Sequence, residues 1–266
     1  MSYDPATRSH IATVRSALAA IGKTFPKPVF DALAEHDKIK AAAREFTQVS
    51  QDQIDNAVAE ALLHDIDPTT DETVRRLLTA HTLSGNLATG YGLQLEAPAT
   101  GRVVAALTAT ADTIIAILIG PADEAGQDLT QASDLLGDQD DPAAIIRSGV
   151  AAVEAWTQAQ KARKIIATID AGWAALAELT RFASAGGYPV LRLADLDVDT
   201  LDKVGRTADA WKLVRAGARI ELADRTTMPQ RIASLVDGRQ QRVQHQADQL
   251  QAAVSRPFNG NRASLV

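Results

Sequence analysis

The residues that could carry chemistry in this 266-residue chain are few and scattered. Gly85-Asn-Leu-Ala-Thr-Gly90-Tyr91-Gly92 has the glycine spacing of a phosphate-binding loop. Tyr91 and Gly92 stand where the Lys and the Ser or Thr would reach phosphate and Mg²⁺, so the stretch reads as a connector. Asp195-Leu-Asp197-Val-Asp199 opens like a calcium loop. Thr200 stands at its sixth position, where the turn needs Gly, and Arg206 at its twelfth, where a bidentate Glu belongs. Asp199 reads instead as a helix N-cap with Asp202 at N3, both favourable to the helix dipole. His10, His36, His64, His81 and His245 match neither H-E-x-x-H nor H-x-H. His36-Asp37 and His64-Asp65 make poor acid/base pairs, since adjacent residues on a helix point in different directions. No G-x-S-x-G surrounds Ser84 or Ser184. Cysteine is absent, which excludes thiolate nucleophiles, thiolate metal sites and disulfides. The chain reads as non-enzymatic, with no metal and no cofactor expected. An enzyme would need a dispersed site, gathering His64 and His81 with acids such as Asp65 or Asp112.

Charge is the stronger signal. Residues 65–141 hold thirteen acids against three bases, and residues 225–266 hold six arginines against two aspartates, within a chain of net charge −6. The arginines Arg225, Arg231, Arg239, Arg242, Arg256 and Arg262 form the expected interaction surface, either for an acidic protein partner or for nucleic acid. Phe258 is the only aromatic residue among them, so base stacking has little to work with. Residues 54–83 admit a helix-turn-helix reading, but Asp65, Asp67, Asp71 and Glu72 would then lie near phosphates.

The elements that must position these groups are mostly helical. Hydrophobic residues make up 46% and aromatics 4%, so small and aliphatic side chains must supply the core. Ile11, Val14, Leu18 and Ile21 mark a first helix that ends near Gly22, and Pro26 and Pro28 break the chain before a second. Ser50 with Gln53 forms a capping box ahead of Ile54, Val58 and Leu62, and Thr69 with Glu72 repeats the device. Asp141-Pro142 starts the longest regular pattern, an Ala-rich helix over 142–185, with Gly149 and Gly172 leaving room for a break. From Pro229, a helix carries Ile232, Val236, Val243, Leu250 and Val254 on one side of a Gln- and Arg-rich surface. Between these, Thr113 to Ile119 is rich in β-branched residues and reads as a buried strand, part of a small sheet over 92–119. Residues 190–193 and 219–222 read as short strands around a helix from Asp199 to Ala216. The apolar run Val103 to Ile119 contains Asp112 and reads as buried core rather than a membrane span.

Glu96-Ala-Pro-Ala-Thr-Gly-Arg-Val-Val104 resembles the hairpin of lipoyl-type barrel domains over about a dozen residues. Residues 92–119 contain no lysine, so the resemblance implies no lipoyl attachment.

The expected fold is mainly α: a helical array with one long Ala-rich helix, spine-like or coiled-coil-like, and a minor β element. Its expected segments are a helical array over 1–84, a loop with a small β element and acidic stretch over 85–141, the long helix plus a βαβ-like unit over 142–224, and a basic helix and tail over 225–266. The expected function is structural: an assembly protein that self-associates or links subunits, such as a component of a phage-like particle. The alternative is a regulatory protein that binds nucleic acid or an acidic partner through its C-terminal helix. Met1 to Lys23 lacks the pattern of a signal peptide, and the expected location is the cytoplasm.

Overall fold

Helix starts in this chain are set by short side chains with oxygen acceptors. The computed structural model describes residues 5–47, 49–87, 91–137, 139–182 and 188–254. Among them the ordered elements are α-helices and one short 3-10 turn, with no strand. The helices are α1 (Pro5–Ala20), α2 (Lys27–Thr47), α3 (Gln51–Leu63), α4 (Glu72–Leu87), α5 (Tyr91–Leu136), α6 (Pro142–Arg147), α7 (Val150–Thr180), α8 (Val198–Val204), α9 (Ala210–Arg215) and α10 (Thr227–Val254). The 3-10 turn, Pro189–Arg192, lies between α7 and α8.

Ser50 caps α3 through the expected box, accepting from Gln53 N while the Gln53 side chain accepts from Ser50 N. Asp141 caps α6 by accepting from Ala143 N and Ala144 N, both at 3.2 Å. Two caps fall on different residues from those expected. Asp71, rather than Thr69, accepts from Val74 N at 2.8 Å ahead of α4, and Asp197, rather than Asp199, accepts from Thr200 N at 2.7 Å ahead of α8. Ahead of α4 the Asp71 carboxylate is a stronger acceptor than the Thr69 hydroxyl; ahead of α8 both candidates are carboxylates, and Asp197 is the one that reaches a first-turn N–H.

The minor β element is not there. Residues 97–104, the resemblance to a lipoyl hairpin, and residues 113–119 all lie within the single helix α5. Its buried residues Val103, Leu107, Ala111, Ile114, Ile115, Leu118 and Ala122 follow a helical period, so tertiary packing of one face overrides the β preference of the isoleucines. Outward positions Ala105, Thr108, Asp112, Thr113, Ala116 and Gly120 are small or polar. The described stretch Ala97–Leu136 is long and apolar enough to cross a membrane by length and composition. The βαβ-like unit is likewise absent: residues 189–192 form the 3-10 turn, and two backbone bonds tie it to the extended segment beyond α9. These run from Glu221 N to Leu193 O (2.7 Å) and from Ala223 N to Arg192 O (2.8 Å). The long helix over 142–185 divides at Gly149, whose φ of +97° ends α6 and separates it from α7.

The chain forms two units. The first comprises residues 1–118 with 171–184, the second residues 119–170 with 185–266. In the first, Val14, Ala17, Leu18, Val29, Ile54, Val74, Leu107 and Trp173 are buried. Gly172 of α7 sits so close to α1 that a Cβ there would lie 2.3 Å from Ala17 Cβ. In the second, Leu129, Ile145, Ile166, Leu191, Leu213, Leu222, Met228 and Leu235 form the core. Gly126 meets Ile220 there, where an added Cβ would fall 2.7 Å from Ile220 Cβ.

Candidate assembly interface

α10 opens on a compact cap. Asp224 accepts from Thr226 N and Thr227 N, each at 2.7 Å, while Thr227 Oγ1 accepts from Asp224 N at 2.7 Å. These bonds, the one from Thr227 N–H foremost, hold the Asp224 carboxyl down at about 2.

One face of the helix turns into its own unit, against the 3-10 turn and α8. Arg231, Leu235, Gly238 and Arg242 lie along it at spacings of four, three and four residues. Arg231 is 5% exposed. It donates through Nη1 to Leu191 O at 3.0 Å and to Glu221 O at 2.9 Å, with the Glu221 carboxylate 3.8 Å from Nη2. Burial pulls this guanidinium below its ordinary value, opposed by the charges of Glu221, Asp195 and Asp224. Gly238 faces Val198, so a Cβ there would come within 2.9 Å of Val198 Cγ2. Arg242 donates to Asp202 at 2.7 Å and to Asp199. Arg239 donates to Tyr188 Oη, and its guanidinium and that of Arg206 lie 5.1 and 4.9 Å from the Tyr188 ring centroid.

The arginines expected to form an interaction surface are therefore placed unequally. Arg231 is buried, Arg225 is half-buried, and Arg239 and Arg242 pair with acids of their own unit. Arg256 and Arg262 lie outside the described residues.

A second stripe runs along α10 about a third of the way round from the first. Ala233, Val236, Gln240, Val243, Ala247 and Leu250 recur at alternating spacings of three and four, and all six are exposed. Val236 is 44% exposed, Val243 66% and Leu250 69%, with seven residues between successive members. This is the spacing of the a and d positions of a heptad repeat, and Val254 continues the spacing in sequence. From Val243 to Gln251 every residue is exposed, so this part of the helix has no core of its own to rest on. Gln244 to Asp248 at 2.9 Å and Gln249 to His245 at 2.7 Å support it locally. The seam's flanks carry Asp237, Arg239, Gln244, Gln246 and Gln251, mostly neutral amides. The spacing was visible in sequence, but which of two stripes is covered was not.

His64 donates through Nδ1 to Glu60 O (2.8 Å) and His81 through Nδ1 to Val49 O (3.4 Å). His36 does reach Asp37, Nδ1 to Oδ1 at 3.3 Å, although the two are neighbours in sequence. Among the described residues no group of three His, Asp or Glu is arranged to hold a metal. Gly85 lies in the last turn of α4 and Tyr91 begins α5, while residues 88–90 of the loop-like motif lie outside the described residues. Asp123 lines an open cleft of about 530 Å³ beside Arg219; its Oδ1 is buried without a hydrogen bond among the described residues. Burial pushes its carboxyl up, against the pull of Arg219.

Set against protein-family models, curated proteins and solved structures, the chain has no significant match in any of the three.

Proposed function

We propose that this chain is a non-enzymatic assembly protein that associates with a second copy of itself through the outward seam of α10. The observation that carries the reading is the heptad recurrence of the exposed Val236, Val243 and Leu250 on a helix whose residues 243–251 are all exposed. The fully exposed stretch from Val243 to Gln251 is too short to hold as a helix in water by itself, and its β-branched valine does not help, so packing against a partner would stabilise it. A second α10 is the self-complementary partner: its seam has the same spacing, and the amide flanks set few like charges against each other. The contact is modest, because Ala and Gln fill three of the six positions and the seam spans only residues 233–250, fewer than three heptads. Each exposed Val or Leu contributes roughly 1–2 kcal/mol on burial, against several kcal/mol of association cost, which places assembly in a concentration-dependent range. A phage-like particle, with many copies held at high local concentration, is one setting for such a contact. The nucleic-acid alternative has less support, since Arg231, Arg239 and Arg242 are committed inside their own unit.

Light scattering after size-exclusion chromatography, over a range of protein concentrations and at low and high salt, tests this. The wild-type chain is expected to gain mass with concentration and to keep it at high salt, because the seam is apolar. Val243→Glu with Leu250→Glu is expected to stay monomeric with unchanged helix content. A wild-type monomer throughout, or a double variant that assembles like wild type, sinks the reading. An oligomer that dissolves in salt would point instead to pairing between the acidic and basic segments.

A further inference from the structure

The first unit contains a cavity whose charge runs against that of the whole molecule. Arg8 and Arg15 of α1, seven residues apart, face it, as do His36 and Lys40 of α2, four residues apart. Each pair shares one helix face by spacing alone. The cavity measures about 170 Å³, and Asp37 is the only acid that lines it among the described residues. Arg15 and Lys40 make no ion pair among the described residues, and α1 contains no acid at all. A chain of net charge −6 thus gathers three cations and an imidazole around one hollow. His36 is held in place, its side chain 14% exposed and its Nδ1 on Asp37. The remaining wall is apolar, from Ile11, Leu33 and Val103, with Thr100 beside it.

We infer that this cavity binds a small organic anion: a phosphate or carboxylate head held by Arg15 and Lys40, with a short apolar body against Ile11, Leu33 and Val103. Arg gives a planar fork of donors to such a head group and Lys a point charge, a combination suited to a doubly charged anion. The volume fits a body of ring size, since an apolar cavity of about 150 Å³ admits benzene. The site lies apart from α10 in sequence and its occupancy does not depend on the assembly reading.

Calorimetric titration of the full chain at low salt, with phenyl phosphate, inorganic phosphate and benzyl alcohol as probes, decides it. Phenyl phosphate is expected to bind saturably and at least about fivefold tighter than inorganic phosphate, with no binding of benzyl alcohol. Arg15→Ala with Lys40→Ala is expected to weaken phenyl phosphate at least about tenfold. Arg15 is exposed and Lys40 half-buried, so the fold should survive, as circular dichroism will check. Should the double variant unfold, Lys40→Gln alone, with a smaller weakening expected, takes its place. No saturable binding of phenyl phosphate at millimolar concentration overturns the inference, as does unchanged affinity in the variants. Equal affinity for inorganic phosphate overturns the apolar half of it.

Discussion

Arg231 is the residue whose position decides most about α10. A guanidinium at 5% exposure has left water, and it is tolerated because Leu191 O, Glu221 O and the nearby Glu221 carboxylate replace the lost hydration. Arg231→Ala removes the donor from two backbone acceptors and leaves a hole, for an expected loss of about 2–4 kcal/mol. Urea unfolding should show this as a lower midpoint; a shift no larger than that of the exposed Lys161→Ala would refute it. Asp224 acts through protonation. Its carboxyl sits at about 2 in the folded chain, below the ordinary 3.8, so its contribution is complete above the ordinary value and is lost as pH falls through about 2. Asp224→Asn should lower stability at neutral pH by about 1 kcal/mol, as loss of a cap does. The gap from wild type should close between about pH 4 and pH 2, and a gap constant over that window would show that the charge is not what matters.

At the scale of elements, the small residues set the spacing. Gly172 lets α7 approach α1 until a methyl would meet Ala17 Cβ at 2.3 Å. Gly172→Ala is expected to destabilise the first unit by about 1–3 kcal/mol, and Ala17→Gly in the same chain to restore part of it. Additive losses in thermal unfolding would disprove the contact. Such approaches explain what the sequence could and could not tell. Ser50, Asp141 and the break at Pro26 were readable because a cap or a missing N–H acts within a few residues; Pro28 lies in the first turn of α2 rather than in the break. Thr113 to Ile119 misled because seven β-branched and aliphatic residues fit a strand as well as a buried helix face; the deciding partners, such as Val103 and Ala122, lie outside that window. On α10 both stripes were present in the sequence, yet only the placement of α8 and the 3-10 turn distinguishes the covered one.

Across the whole molecule, the charge asymmetry is legible and its use is not. The acidic and basic segments invite pairing between chains, but many of these charges find partners close by. Asp140, in the acidic stretch, accepts from Arg215 at 2.6 Å and from Trp211 Nε1 at 3.3 Å; Arg215 also donates to Gly137 O and Gln139 O. Arg242, in the basic segment, meets Asp199 and Asp202. These side chains are only partly shielded, so each pair adds about 0–1 kcal/mol, and their effect is to hold loops and helices in place rather than to drive association. The persistence of assembly at high salt is therefore the molecular-scale outcome that separates an apolar seam from paired charges.

The division of the chain also bears on how it is made. The first unit takes residues 1–118 and then 171–184, so the segment with Gly172 and Trp173 reaches the ribosome exit well after the rest of that unit. At about 5–20 residues per second, α1 waits several seconds for the surface that covers Ala17. During that interval the nascent chain leaves the Ala17 surface without its Gly172 cover, and a fragment ending at residue 118 would keep it in that state permanently.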